Sequence, residues 1–386
     1  MTGGGEGITL IPMKTINELD RDLTEAARTA VRDVLKIKKD ETVLIITNPD
    51  IEVSEISQAL YRAALESGAR PVLVYQEMKD QLSFAEAAVI GAIGSRPDVL
   101  ISMSTEKLGK DRKAMSEPYE HNGVKIGNTF HYLLASGQTR SFWSPSVTRK
   151  MFAKTVRVDY NRMKAEAAWV KEILDRADSV RVTAPGGTDI TFSVRGRLGK
   201  LDNGDYSLPG AGGNLPAGET FISPVVGSSS GVIVFDGSIS SHNGIIIIEE
   251  PIRVRYENGF AREITGGREA KELLTTITLG EENALAFEKE GKLPAGSGAS
   301  YARNARNLGE LGIGLNPAAE IVGNMLEDEK VYRTCHFAIG SNYDDDAQAL
   351  IHLDGLVKEP DIVAVMEDGR EEIITRKGVL QMPARS

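Results

Sequence analysis

Five residues of this chain carry donors that suit a divalent cation: Glu219, Glu310, His336, His352 and Asp354. Four of them fall between Asn307 and Asp354, in three short apolar runs, NLGELGIGLNP, CHFAIGSNY and ALIHLDG. His352 and Asp354 are two positions apart, so on a strand both side chains leave the same face. Taken alone, this stretch suits one ion. Glu219 adds a carboxylate from a separate segment, GAGGNLPAGETFISP at 210–224, where it would open an apolar strand and point into a cavity. Three carboxylates and two imidazoles can hold two divalent ions if one carboxylate bridges them. Ions ~3.5–4 Å apart clamp the attacking and leaving atoms and activate water for attack on a carbonyl. The plainer reading makes the histidines ordinary packed or surface residues and the glutamates solvated. The residues by themselves leave both readings open.

The elements that must position these donors are strands. From Ser179 onward the chain reads as short β-rich runs, among them SVRVTAP, DITFSVRGR and GVIVF. Glu-Asn-Gly at 257–259 and Glu-Asp-Gly at 367–369 are hairpin signals. Helical spacing covers 267–278, and the polar stretch 285–298 is expected to be a loop. The second half is therefore expected to be an α+β domain over 178–386, mainly antiparallel sheet, carrying the metal site. The first half differs. Apolar spacing predicts helices over 15–36, 52–68 and 84–93, and β-branched runs predict strands over 41–47, 71–75 and 98–104. This alternation predicts parallel βαβ units, so an α/β domain with a largely parallel sheet is expected over 1–177, with a helix over 157–177 leading onward. The segment after the first strand, Thr47-Asn48-Pro49-Asp50, has no glycine, and neither a dinucleotide fingerprint nor a phosphate loop is found. His121 and His131 lie in a stretch, 105–150, without a clear pattern and read as ordinary surface or packed residues. Residues 1–13, glycine-rich at the start, are expected to be a mobile end.

Composition narrows the class. The chain has 386 residues, 41% hydrophobic and 26% charged, as expected of a soluble globular protein of two domains. Its formal net charge of −10 argues against nucleic acid, whose binders carry basic patches. No apolar run approaches the ~20 residues of a membrane span. The lone cysteine, Cys335, allows no internal disulfide. With no basic start followed by a long apolar run, the chain is read as cytoplasmic.

The segments NLPAGETFISP, NLGELGIGLNP, CHFAIGSNY and IHLD, in this order over 210–356, resemble the aminopeptidase T and aminopeptidase S family of metallopeptidases. The resemblance implies a cytoplasmic, homodimeric hydrolase that removes N-terminal amino acids from small peptides with a water activated by two divalent ions, Zn²⁺, Co²⁺ or Mn²⁺. It implies Glu219, Glu310, His336, His352 and Asp354 as ligands, Glu310 as the bridge and a catalytic group. Tyr343, seven positions after His336, is implied as a catalytic hydroxyl that hydrogen-bonds the tetrahedral oxyanion. Cys335 then reads as a packing residue. Two departures touch substrate access: the segment between His336 and His352 is short, SNYDDDAQAL, and residues 105–135 lack the SHTxAR-like segment of the family's first domain.

Two other classes compete. Ring-cleaving dioxygenases acting on 2,5-dihydroxypyridine resemble the same family, and His336, His352 and Asp354 could supply a facial triad for one Fe²⁺. A binding protein that keeps the site without turnover is the third. Asp344-Asp345-Asp346 reads as a solvated loop, or, were it to overhang the site, as a preference for cationic substrates.

Overall fold

Thr42–Thr47, TVLIIT, is a β-branched run whose side chains are buried from Val43 onward. Burial on both faces is what a central parallel strand requires. In the computed structural model, which describes residues 21–80 and 82–383, this strand pairs in parallel with Arg70–Tyr75 on one side and Val99–Met103 on the other. Arg140–Trp143 and then Gly212–Asn214 extend the sheet, also in parallel. Leu44, Ile46 and Leu100 pack on Val89, Ile93, Phe130 and Leu133 from the helices Ala87–Ile93 and Thr129–Ala135.

The helices start and stop where local chemistry dictates. Asp50 caps Ile51–Glu66 by accepting from the Glu52 N–H, and Gly68 takes φ +81° just past its end. The 15–36 helix is described from Arg21; it runs to Thr29 and continues as a π turn, Ala30–Val34. Residues 1–13 lie outside the described residues. The helix expected from Phe84 begins only at Ala87, because Glu86 is extended and Phe84 bridges to Lys110. Asn48 occupies the glycine-free segment after the first strand. Its amide donates to the Gln76 carbonyl at 3.0 Å and accepts from the Thr105 N–H at 2.7 Å, tying three strand ends together.

The chain forms two compact units, Met1–Tyr160 with Gly204–Ala217, and Asn161–Asn203 with Gly218–Ser386. The division is not a single cut at residue 177. The Gly212–Asn214 edge strand returns to the first unit's sheet, and most of the Tyr160–Arg176 helix belongs to the second unit.

The second unit holds a seven-stranded and an eight-stranded sheet, both antiparallel. Asn258 and Gly259 both take positive φ between Ile252–Glu257 and Phe260–Thr265, the turn that the Asn-Gly pair predicts. The helix expected over 267–278 is longer, Arg268–Lys289, so the first part of the expected 285–298 loop is helical. Leu273, Ile277, Gly280 and Ala284 keep the buried face going at helical spacing, and Glu288 then accepts from the Gly298 N–H at 3.0 Å. Among the described residues no helix is long and apolar enough to cross a membrane.

Candidate metal centre

Four strands of the seven-stranded sheet, adjacent in the order His352–Lys358, Thr334–Gly340, Leu308–Gly314 and Glu219–Ile222, carry all five donors. Register puts them on one face. Glu310 pairs with Ala338, and Ala338 with Asp354; His336 pairs with Gly312; Gly340 pairs with His352; Gly314 pairs with Glu219. Paired residues share a face and alternate residues return to it. Among the donors this face carries the small residues Gly312, Gly314, Ala338 and Gly340, with Phe221, the partner of Gly312, and Leu356, the partner of His336, at its sides. Gly312 is the sharpest case, since a methyl there would overlap the His336 imidazole. The opposite face is core: Leu311, Ile313, Cys335, Phe337 and Ile339 are buried, and Phe337 meets Phe192 edge-on at 6.2 Å. Cys335 therefore points away from the donors, and burial pushes its thiol pKa up.

The donors converge. His336 Nε2 lies 3.3 Å from Glu310 Oε1 and 3.4 Å from Glu219 Oε2. His352 Nε2 lies 3.3 Å from Glu310 Oε2 and 3.2 Å from Asp354 Oδ1. Glu310 thus offers one oxygen to each imidazole, which is the arrangement a bridging carboxylate needs. His352 Nδ1 sits 2.9 Å from the Ser341 carbonyl oxygen, which can only accept, so Nδ1 carries a proton and Nε2 is the ligating nitrogen. Two donor groups result, Glu310–His352–Asp354 and Glu219–Glu329–His336, each with its ligand atoms within 4.8 Å of one another. Glu219 Oε2, Glu310 Oε2, Asp354 Oδ1 and His336 Nδ1 are buried without a hydrogen-bond partner. Buried polar atoms are nearly always bonded, so such a cluster marks a place where protein partners are not the whole answer. Divalent ions between these donors would account for three of the four; His336 Nδ1 is left over.

Electrostatics divide the two donor groups: burial pushes Glu219 up to about 8 and raises Glu329, despite the Lys330 ammonium beside both, whereas Glu310 is held ionised. Burial opposes ionisation of Glu310, yet the His336 and His352 imidazoles beside it hold its carboxyl down to about 2. Burial likewise opposes charge on His336, but Glu310 and Glu219 lift it to about 9. His352 is lifted well above its ordinary value by Asp354 and Glu310 against the cost of burial. Without ions, imidazolium protons supply the positive charge that this face demands.

Tyr343 stands at the rim, half exposed, its ring edge-on to His352 at 5.1 Å and to Phe221 at 5.3 Å. The acidic run does not hang free: Asp344 accepts from Lys200 Nζ at 2.9 Å and Asp346 from Arg197 Nη2 at 2.5 Å. Three charged residues near the centre were not singled out from sequence: Asp202, Glu329 and Lys330. The run EDEK looks like solvated surface; only tertiary burial reveals that Lys330 is fully enclosed. His121 and His131 belong to the first unit and the five donors to the second.

A family profile described as 2,5-dihydroxypyridine 5,6-dioxygenase (NicX) matches residues 145–336. The matched span includes Glu219, Glu310 and His336 and stops short of Tyr343, His352 and Asp354. A search of curated proteins finds no match. Among solved structures, the 2,5-dihydroxypyridine dioxygenase of Pseudomonas putida KT2440 is similar at a TM-score of 0.66 and 17% identity, over 94% of this chain and 97% of that one. AmpT of Thermus thermophilus, an aminopeptidase T, is similar at 0.62 and 19% identity, over 94% of this chain and 99% of that one. Both likenesses establish a shared fold.

Proposed function

We propose that this chain is a metal-dependent enzyme and, from the geometry of its donors, a two-ion aminopeptidase acting on small peptides. The observation that carries this reading is Glu310, which presents one oxygen to each of two imidazoles and so links two donor groups. When bound, a pair of divalent ions would polarise a carbonyl and acidify a water. The chain's own residues do the rest. Ionised Glu310 keeps negative charge between the two positions. The Ser341 carbonyl holds His352 in the tautomer whose Nε2 faces the centre. Asp354, two residues on along the same strand, supplies the second oxygen beside that nitrogen. Tyr343, standing against His352, is assigned the hydroxyl that donates to the oxyanion.

A second reading has its own support. The family match and the Pseudomonas putida structure favour ring-opening dioxygenation by one ferrous ion, with His336, His352 and Asp354 as the protein donors. The comparisons lean towards this reading, and the donor count leans towards two ions. One set of measurements separates them. Elemental analysis after aerobic Zn²⁺, Co²⁺ or Mn²⁺ loading and after anaerobic Fe²⁺ loading gives ions per chain. Leucyl-nitroanilide with a peptide panel, and 2,5-dihydroxypyridine with an oxygen electrode, then report the reaction. Two ions and amino-acid release, lost on chelation, support the aminopeptidase. One iron with oxygen uptake and no peptide turnover would sink it in favour of the dioxygenase.

A further inference from the structure

Lys330 has no exposed side-chain surface. Its Nζ lies 2.6 Å from Glu219 Oε1, 2.7 Å from Glu329 Oε1 and 2.8 Å from Asp202 Oδ2. An ammonium can donate three N–H bonds; here three carboxylates lie within ion-pair distance of it, and the contact with Glu219 Oε1 is a hydrogen bond. Asp202 and Glu219 are direct cross-strand partners. Like charges in that relation repel, and the ammonium between them removes the conflict. Lys330 is delivered by a held backbone: its N–H donates to the Glu327 carbonyl at 3.0 Å, and its own carbonyl accepts from the Asn316 N–H at 2.8 Å. The consequence falls on Glu219. One oxygen, Oε1, is gripped by Lys330, while Oε2 has no hydrogen-bond partner and lies 3.4 Å from His336 Nε2.

We propose that Lys330 is a positioning residue that grips Glu219 by one oxygen, so that Glu219 presents the other, as a single-atom ligand, to the ion it shares with His336. The ammonium also holds one oxygen of Glu329 and so orients that side chain within the same donor group. The role rests on the two-ion reading. It concerns only one of the two positions: the Lys330 ammonium pairs with Asp202, Glu219 and Glu329, whereas Glu310, His352 and Asp354 pair among themselves and with His336.

The test uses the full chain, stripped with a chelator and titrated with Co²⁺ by calorimetry and visible absorption. Wild type takes two equivalents. In Lys330→Met the equivalent held by Glu310, His352 and Asp354 keeps its affinity and spectrum, and the other weakens by roughly 10- to 100-fold, the usual effect of losing a group that orients a ligand. A general loss of structure would weaken both. Two equivalents of unchanged affinity in Lys330→Met overturn the role of Lys330 alone. So does a gain from one equivalent in wild type to two in the variant, which would make the ammonium a stand-in for an ion. A single equivalent in both proteins overturns the two-ion reading and this role with it. Should Lys330→Met not fold, a crystal structure of Co²⁺-loaded wild type decides. It should show Glu219 Oε2 at ~2.0–2.2 Å from an ion with Oε1 still on Lys330; both oxygens on the ion, or Lys330 swung away, overturns the proposal.

Discussion

Glu310 and the two imidazoles set the chemistry at the scale of single residues. Because Glu310 is buried against partners that become charged, removing its charge leaves those partners uncompensated. Glu310→Gln should abolish binding of both ions and, at pH 7, destabilise the ion-free fold by ~3–5 kcal/mol, measured by urea unfolding; retention of two ions would refute the bridging assignment. The pH dependence has a definite sign. His336 rises from 6.5 to about 9 in the ion-free fold. Its contribution is therefore complete below about 6.5 and is lost as pH rises through about 9. Ion-free protein should lose stability over that window. Ions must displace the same protons, so their affinity should climb over it. Thermal melts with and without chelator at several pH values check the first, and proton release in buffers of different ionisation enthalpy checks the second. The donor types were legible as residues. Lys330 and Glu329 were not, because four charges in a row, EDEK at 327–330, signify a solvated surface until burial is known, and Asp202 stands in a separate segment of the chain.

At the scale of the strand, what matters is what is missing. Gly312 pairs with His336 and has no side chain to contest the space of the imidazole. Gly312→Ala should push His336 out of line, lower the affinity of the ion it shares with Glu219 by roughly 10- to 100-fold and cost ~1–3 kcal/mol in overpacking. Titration and chemical denaturation measure the two effects, and wild-type affinity in the variant would show that the floor of small residues is incidental. The glycines of NLGELGIG were visible in the sequence, and so was the alternation that places Glu310, Gly312 and Gly314 on one face. The pairing of Gly312 with His336 was not, because register between strands distant in sequence is decided by the whole sheet. The same limit explains the helix ends: the pattern over 267–278 stopped too early, since the buried face of Arg268–Lys289 continues through smaller residues, Gly280 and Ala284.

At the scale of the molecule, every donor lies in the second unit, so ions should stabilise that unit by linkage. At 100 times Kd one ion contributes ~2.7 kcal/mol, a rise of roughly 5–10 °C in a unit of this size. Calorimetry with and without chelator reads it, and a melt indifferent to ions would argue that the donors form a purely structural polar cluster. The sequence by itself determined the alternation of helix and strand in the first half, the antiparallel character of the second, and which five side chains stand as candidate donors. These follow from periodicity, turn residues and donor chemistry, all local properties. Tertiary structure alone decided that the Gly212–Asn214 strand returns to the first sheet. It alone decided that Glu310 faces both imidazoles and that a lysine buried beside Glu219 divides that carboxylate's two oxygens. Those are relations between residues as much as 111 positions apart, and which distant segments meet is settled by packing and sheet register rather than by any one stretch of chain.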